Sequence, residues 1–211
     1  MFLHAALSKG NVAKWGKRLA MALASFLVLF MIASNVMLRT HAFRDLMAFD
    51  PESLTIDYDS AYSWFPGRVH VENLRVRGSD SHRQWLVTVA HADTFMNPFA
   101  FARRRFSASH ATAEGVTVRE RERYLPEQIT PELLAALPKI PGFADPPLAM
   151  PIPPDPADAD YALWSVDLEE VTAVDVTDVW IDTLHETGTM TAKGRWIFRP
   201  LRELDFGPST L

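Results

Sequence analysis

The chain has 211 residues, a formal net charge of -5 and no cysteine. That composition excludes disulfide scaffolds, thiolate zinc sites and a cysteine nucleophile, and it gives nucleic-acid binding no electrostatic support. Aromatic residues make up 11% of the chain, too many for a largely disordered one.

Residues 1–18 carry Lys9, Lys14, Lys17 and Arg18 and no acid. Leu19 to Leu38 follow, twenty residues without charge, interrupted only by Ser25, Ser34 and Asn35. A helix of that length reaches about 30 Å, the thickness of a hydrocarbon core. The flanking charges put the N-terminus in the cytoplasm and the rest across the membrane. A cleaved signal peptide is the rival; its apolar region is shorter, and Thr40-His41-Ala42 is a poor cleavage site because Arg39 and His41 crowd it. An uncleaved anchor is expected.

Residues 39–50 continue with Phe43, Leu46, Met47 and Phe49, helical spacing with one apolar side, ended by Asp50-Pro51. A first β half is expected over 53–123. Leu54, Ile56 and Tyr58 alternate with polar residues; Tyr62, Trp64 and Phe65 then run into the turn dipeptide Pro66-Gly67. Further alternating runs begin at Val69, Trp85, Phe106 and Val116, the pattern of antiparallel strands with one covered face.

The alternation slips in a recurring way. Val69 and Val71 are followed by two polar residues and then Leu74 and Val76; Val166 and Leu168 by Glu169-Glu170 and then Val171 and Ala173; Val176 by Thr177-Asp178 and then Val179 and Ile181. A period-two strand that shifts phase turns its apolar side over unless a bulge or bend absorbs the extra residue. A bent, strongly twisted sheet is expected, with a hint of internal repetition.

Residues 124–160 hold ten of the fifteen prolines. Thr130 and Pro131 make a good N-cap and first helical position for a short helix that Pro138 stops; the remainder reads as extended linker. Pro151 to Pro154 formally match a PxxP ligand but lie on the wrong side of the membrane for the usual partners. A second β half fills 161–211 and ends in a hairpin whose turn is expected around His185-Glu186-Thr187-Gly188. Ten arginines face six acids between Arg68 and Arg123, whereas Asp155 to Asp182 hold nine acids and no lysine or arginine. Two solvated, mutually attracting faces explain this; the sharper alternative sets Arg103, Arg104 and Arg105 against a lipid headgroup.

The order of cytoplasmic tail, single span, helical stub and first strand, followed by Pro66-Gly67-Arg68-Val69-His70-Val71-Glu72-Asn73-Leu74-Arg75-Val76-Arg77-Gly78, resembles the N-terminal region of AsmA-like and TamB-like envelope proteins of Gram-negative bacteria. Gly115-Val116-Thr117-Val118, Trp196-Ile197-Phe198-Arg199-Pro200 and Phe206-Gly207-Pro208 are similar to later parts of that pattern. The resemblance implies a mainly β protein anchored in the bacterial inner membrane with its bulk in the periplasm. Its groove- or taco-like sheet would hold phospholipid acyl chains in outer-membrane maintenance, alone or with envelope protein partners. Family members are much longer. Eight or nine strands span only ~40 Å, so the chain is expected to be either a piece of something longer or a short relative working with partners.

Candidate groove residues are Val69, Val71, Leu74, Val76, Val166, Leu168, Val171, Val176, Val179 and Ile181. If these residues instead pack only on one another, the protein is a membrane-tethered interaction module. Neither a nucleophile elbow, H-E-x-x-H, a phosphate-binding glycine loop nor a Cys/His zinc spacing is present, so no cofactor and no catalysis are expected. A hydrolase would need a polar cleft combining His70, His91 or His110 with Asp93 or Glu114.

Overall fold

The computed structural model describes residues 9–40, 42–47, 54–79, 82–149, 165–199, 203–205, 207–208 and 210. The expected Asp50-Pro51 stop and the Pro151 to Pro154 segment lie outside them. Helix α1 (Lys9–Arg39) contains the whole apolar run and is exposed along most of it; after a bend at Thr40, α2 (Ala42–Met47) continues the chain.

Among the described residues eight strands form one open sheet: β1 (Leu54–Asp57), β2 (Ser60–Phe65), β3 (Arg68–Ser79), β4 (Arg83–Met96), β5 (Arg105–Glu122), β6 (Ser165–Ile181), β7 (Leu184–Arg199) and β8 (Glu203–Asp205). Their order is β1-β3-β4-β5-β6-β7-β8, with β2 also on β3. β1 pairs with the far end of β3 and β2 with its start, so the two share one edge. The protein is mainly β, as the alternating runs indicate, and its sheet is largely antiparallel. One junction departs from that: β5 and β6 are parallel. Parallel neighbours need a crossover of a dozen residues or more, and the proline-rich stretch supplies it.

The described part of that stretch is a packed strap. Thr130 caps the short helix α3 (Pro131–Ala136) by accepting from Leu133 N–H at 3.2 Å, as its sequence indicates. Beyond it Ile140 and Pro147 are buried. Arginines hold the strap to the sheet: Arg77 donates to Gly142 O at 2.9 Å, and Arg121, almost fully buried, meets Asp145 at 2.6 Å and donates to Ala144 O. A buried charge is tolerated only when paired and hydrogen-bonded in this way.

The terminal hairpin turns at Asp182-Thr183, earlier than the expected His185 to Gly188. Asp182 takes φ 53°, a left-handed conformation that aspartate tolerates and two-residue hairpin turns require. His185 to Gly188 instead lie inside β7, where the ladder with β6 is irregular.

Candidate functional site

Directly opposed residues in a sheet share a face. One row runs Val76, Val87, Val118, Val179; the next runs Leu74, Val89, Val116, Val176, Met190; a third runs Val71, Ala92, Ala113, Ala173, Ala192. These rows make one apolar face across β3 to β7. The phase slip seen in the sequence explains how it stays on one side. Asn73, Ala90, Gly115 and Asp175 each fall between consecutive opposed pairs, at the same level in four neighbouring strands. Each of these four strands carries its extra residue at one line, so pairing among them resumes in step across it. Asn73, Gly115 and Asp175 have φ of 51°, 66° and 51°, and Gly, Asn and Asp are the residues that adopt positive φ most readily.

The face also closes on itself. Trp85 opposes Glu120, which opposes Ile181, whereas Trp196 opposes Leu168. On a flat sheet these positions differ by most of the length of β6, about 40 Å. Their rings nevertheless meet edge to face, with centroids 5.9 Å apart. The sheet therefore folds over its apolar face, and Val166 joins Val76 and Trp85 in one buried cluster.

A second cluster joins the face to the apolar helix α1: Leu38, Phe43, Tyr58, Ala61 and Val69 are buried together, with Met37, Val71, Leu74, Met96 and Phe106 against them. A third centres on Val89, Val116 and Val176. Leu74 touches all three, so the apolar strip is unbroken from the end of α1 to Met190 on β7. Among the described residues α1 and α2 lie against β2 and β1, and their buried side chains meet this face at one end, around Val69.

Of the ten candidate groove residues, Val69, Val76, Val166 and Val176 are buried, and Val71, Leu74, Leu168 and Val179 are half-buried around them. Val171 is half-buried and opposes Ala111 and Gly194 at one end of the strip. Ile181 lies at a strand end and is exposed. Trp85 and Phe106, which begin alternating runs, belong to the strip as well, and so do Trp196 and Met190 on β7, where the pattern is broken by Thr, Lys and Gly; none of the four is among the ten candidates.

Comparison with protein-family models, with curated proteins and with solved structures gives no match. What the chain can do has to follow from its own geometry.

The opposite face is polar. The arginine-rich and acidic halves meet as neighbours there: Arg105 pairs with Asp167, and Arg119 with Asp178 at 2.8 Å. Burial pushes the Asp178 carboxyl up, but hydrogen bonds from Arg119 and His185 outweigh it and hold the group below its usual value. His70 Nδ1 lies 2.7 Å from Asp93, and its Nε2 accepts from Trp64 Nε1–H at 2.7 Å. His110 Nδ1 lies 3.1 Å from Glu170, an exposed pair, and His91 opposes Glu114 in the ladder. Among the described residues no group of three or more His, Asp or Glu is placed to hold a metal. Arg103 and Arg104 are exposed in the turn between β4 and β5, while Arg105 is tied to Asp167.

Proposed function

We propose that the chain is a single-pass, membrane-anchored envelope protein of the AsmA-like type that holds phospholipid acyl chains along the apolar face of its folded sheet. The observation that carries this reading is the unbroken apolar strip from Met37 and Leu38 through Leu74 to Met190. Half-buried valines and alanines line much of it, and a chain leaving the bilayer would find apolar contact without crossing water. Apolar surface of this kind, continuous and half-exposed between buried clusters, marks a site for an apolar partner.

The anchor reading draws support from the helix end. Tyr58 Oη donates to Leu38 O at 2.8 Å, and Leu38 and Phe43 share one buried cluster. Cleavage after Ala42 would remove Leu38 from the core it helps to form.

A second reading, a membrane-tethered interaction module, draws on the contact of Trp85 with Trp196, which turns part of the strip into ordinary core. The two separate by experiment. The full chain, extracted in mild detergent from a bacterial envelope, is taken to native mass spectrometry with lipid extraction. The lipid reading expects co-purifying phospholipid that Leu74→Asp or Val179→Asp removes while the circular dichroism of the sheet is retained. A folded, lipid-free protein favours the interaction module.

A further inference from the structure

We propose that the β2–β3 hairpin tip and the turn after β4 are seated in the leaflet where α1 ends, as an aromatic and arginine-bearing membrane-docking surface. This rests on α1 being a bilayer span.

The helix and β2 are locked together. Asn35 Nδ2 donates to Ser63 O at 2.7 Å, and Asn35 Oδ1 accepts from Ser63 N–H at 3.0 Å. Asn35 is four residues before Arg39, so Ser63 sits about 6 Å to the membrane side of that charge. Direction follows from a second contact. Tyr58 reaches Leu38, whereas Ser63, later in the chain, reaches Asn35, earlier in the helix. The strand beyond Ser63 therefore heads toward the bilayer.

What lies beyond Ser63 suits that place. Trp64 and Phe65 are 59% and 52% exposed, Phe95 is 47% exposed opposite Arg68, and Phe99 is 85% exposed in the turn Pro98–Arg103. The tip and the turn adjoin, since Met96 N–H donates to Gly67 O. Among the described residues every large exposed aromatic side chain outside α1 is at this end of the sheet. Arginine accompanies them: Arg68 lies over the Trp64 ring at 5.1 Å, with Asp93 3.6 Å away, and Arg103 and Arg104 follow Phe99. Aromatic rings with cationic neighbours are the side chains that settle at the headgroup level. Continuity with α1 and this charge select a phospholipid leaflet as the occupant.

The chain has no cysteine, so single cysteines can be labelled cleanly. Phe65→Cys and Phe99→Cys, each carrying an environment-sensitive fluorophore, are reconstituted as full chains in phosphatidylethanolamine–phosphatidylglycerol vesicles. Val28→Cys reports the span and Thr187→Cys the exposed far strand. The labels at 65 and 99 should be quenched by brominated lipid and shielded from aqueous iodide, like that at 28, while that at 187 is quenched by iodide. Quenching of 65 and 99 by iodide, with 28 in lipid, overturns the docking surface and leaves the span standing. Shielding without quenching by brominated lipid means that a second copy covers the patch, and overturns it too. Iodide access at 28 overturns span and docking surface together.

Discussion

Asn35 pairs with both backbone groups of Ser63, so a polar residue near the end of an apolar helix replaces a missing strand neighbour for β2. Ser63 is buried, where backbone groups without partners are costly, and the asparagine removes that cost while fixing the sheet to the helix. Asn35→Leu should leave Ser63 N–H and C=O unpaired, at a cost of about 1–3 kcal/mol. Amide hydrogen exchange at Ser63 in the detergent-solubilised full chain checks this, with faster exchange expected there and little change in β5.

Backbone conformation at the bend line can be tested at Asn73, whose φ is 51° and whose side chain donates to exposed Asp59. Asn73→Gly keeps the conformation accessible and should change stability by no more than about 0.5 kcal/mol. Asn73→Val sets a β-branched residue at positive φ and should cost about 1–2 kcal/mol. Urea unfolding of the two variants side by side gives the comparison; equal stabilities would mean that the line is not held by backbone conformation.

Closure of the sheet rests on Trp85 and Trp196. Each tryptophan truncated to alanine should destabilise by about 3–5 kcal/mol. Their double-mutant cycle should show a coupling of about 0.5–1.5 kcal/mol, since an edge-to-face pair is lost once only. Strict additivity would mean that the two ends of the strands do not meet in solution.

Asp178 links β6 to β5 and β7 through Arg119 and His185. Its carboxyl is held below the ordinary value of 3.8 in the folded protein, so its contribution is present above that pH and is lost as pH falls toward the lower folded value. Asp178→Asn should therefore be less stable than the parent near neutral pH, by about 1 kcal/mol for a partly exposed network. The difference should shrink as the pH drops below 3.8. Chemical unfolding of both proteins across that range measures it.

Much of this architecture is legible in the residues. The charge-free run before Arg39, the alternation from Leu54 onward and the Thr130-Pro131 start each dictate a local structure. The slip at Asn73 announces a bend because a period of two has no slack. Alternation alone does not show that Ala90 and Gly115 slip at the same level, since alanine and glycine blur the apolar pattern; only pairing aligns them with Asn73 and Asp175. Nor does it give the parallel β5–β6 junction, which depends on the path of a strap that reads as linker. The strap packs because Arg77 and Arg121 seek its carbonyl groups, a long-range pairing without local periodicity. Val69 to Val76, Val176 and Trp85 stand out by periodicity, whereas the meeting of Trp85 with Trp196 needs the fold.

Acyl chains lying on the apolar face would be caught there by site-resolved photo-crosslinking. A photoreactive amino acid is placed in the full chain at Leu74, Val118 or Val179 on the apolar face, and at Thr117 or Thr172 on the other. Irradiation is carried out in bacterial membranes with radiolabelled phospholipid. Label transferred from the three apolar-face positions, and not from the two polar-face positions, is the predicted result. Equal transfer from both faces, or none from Leu74, Val118 and Val179 in a folded protein, would contradict it.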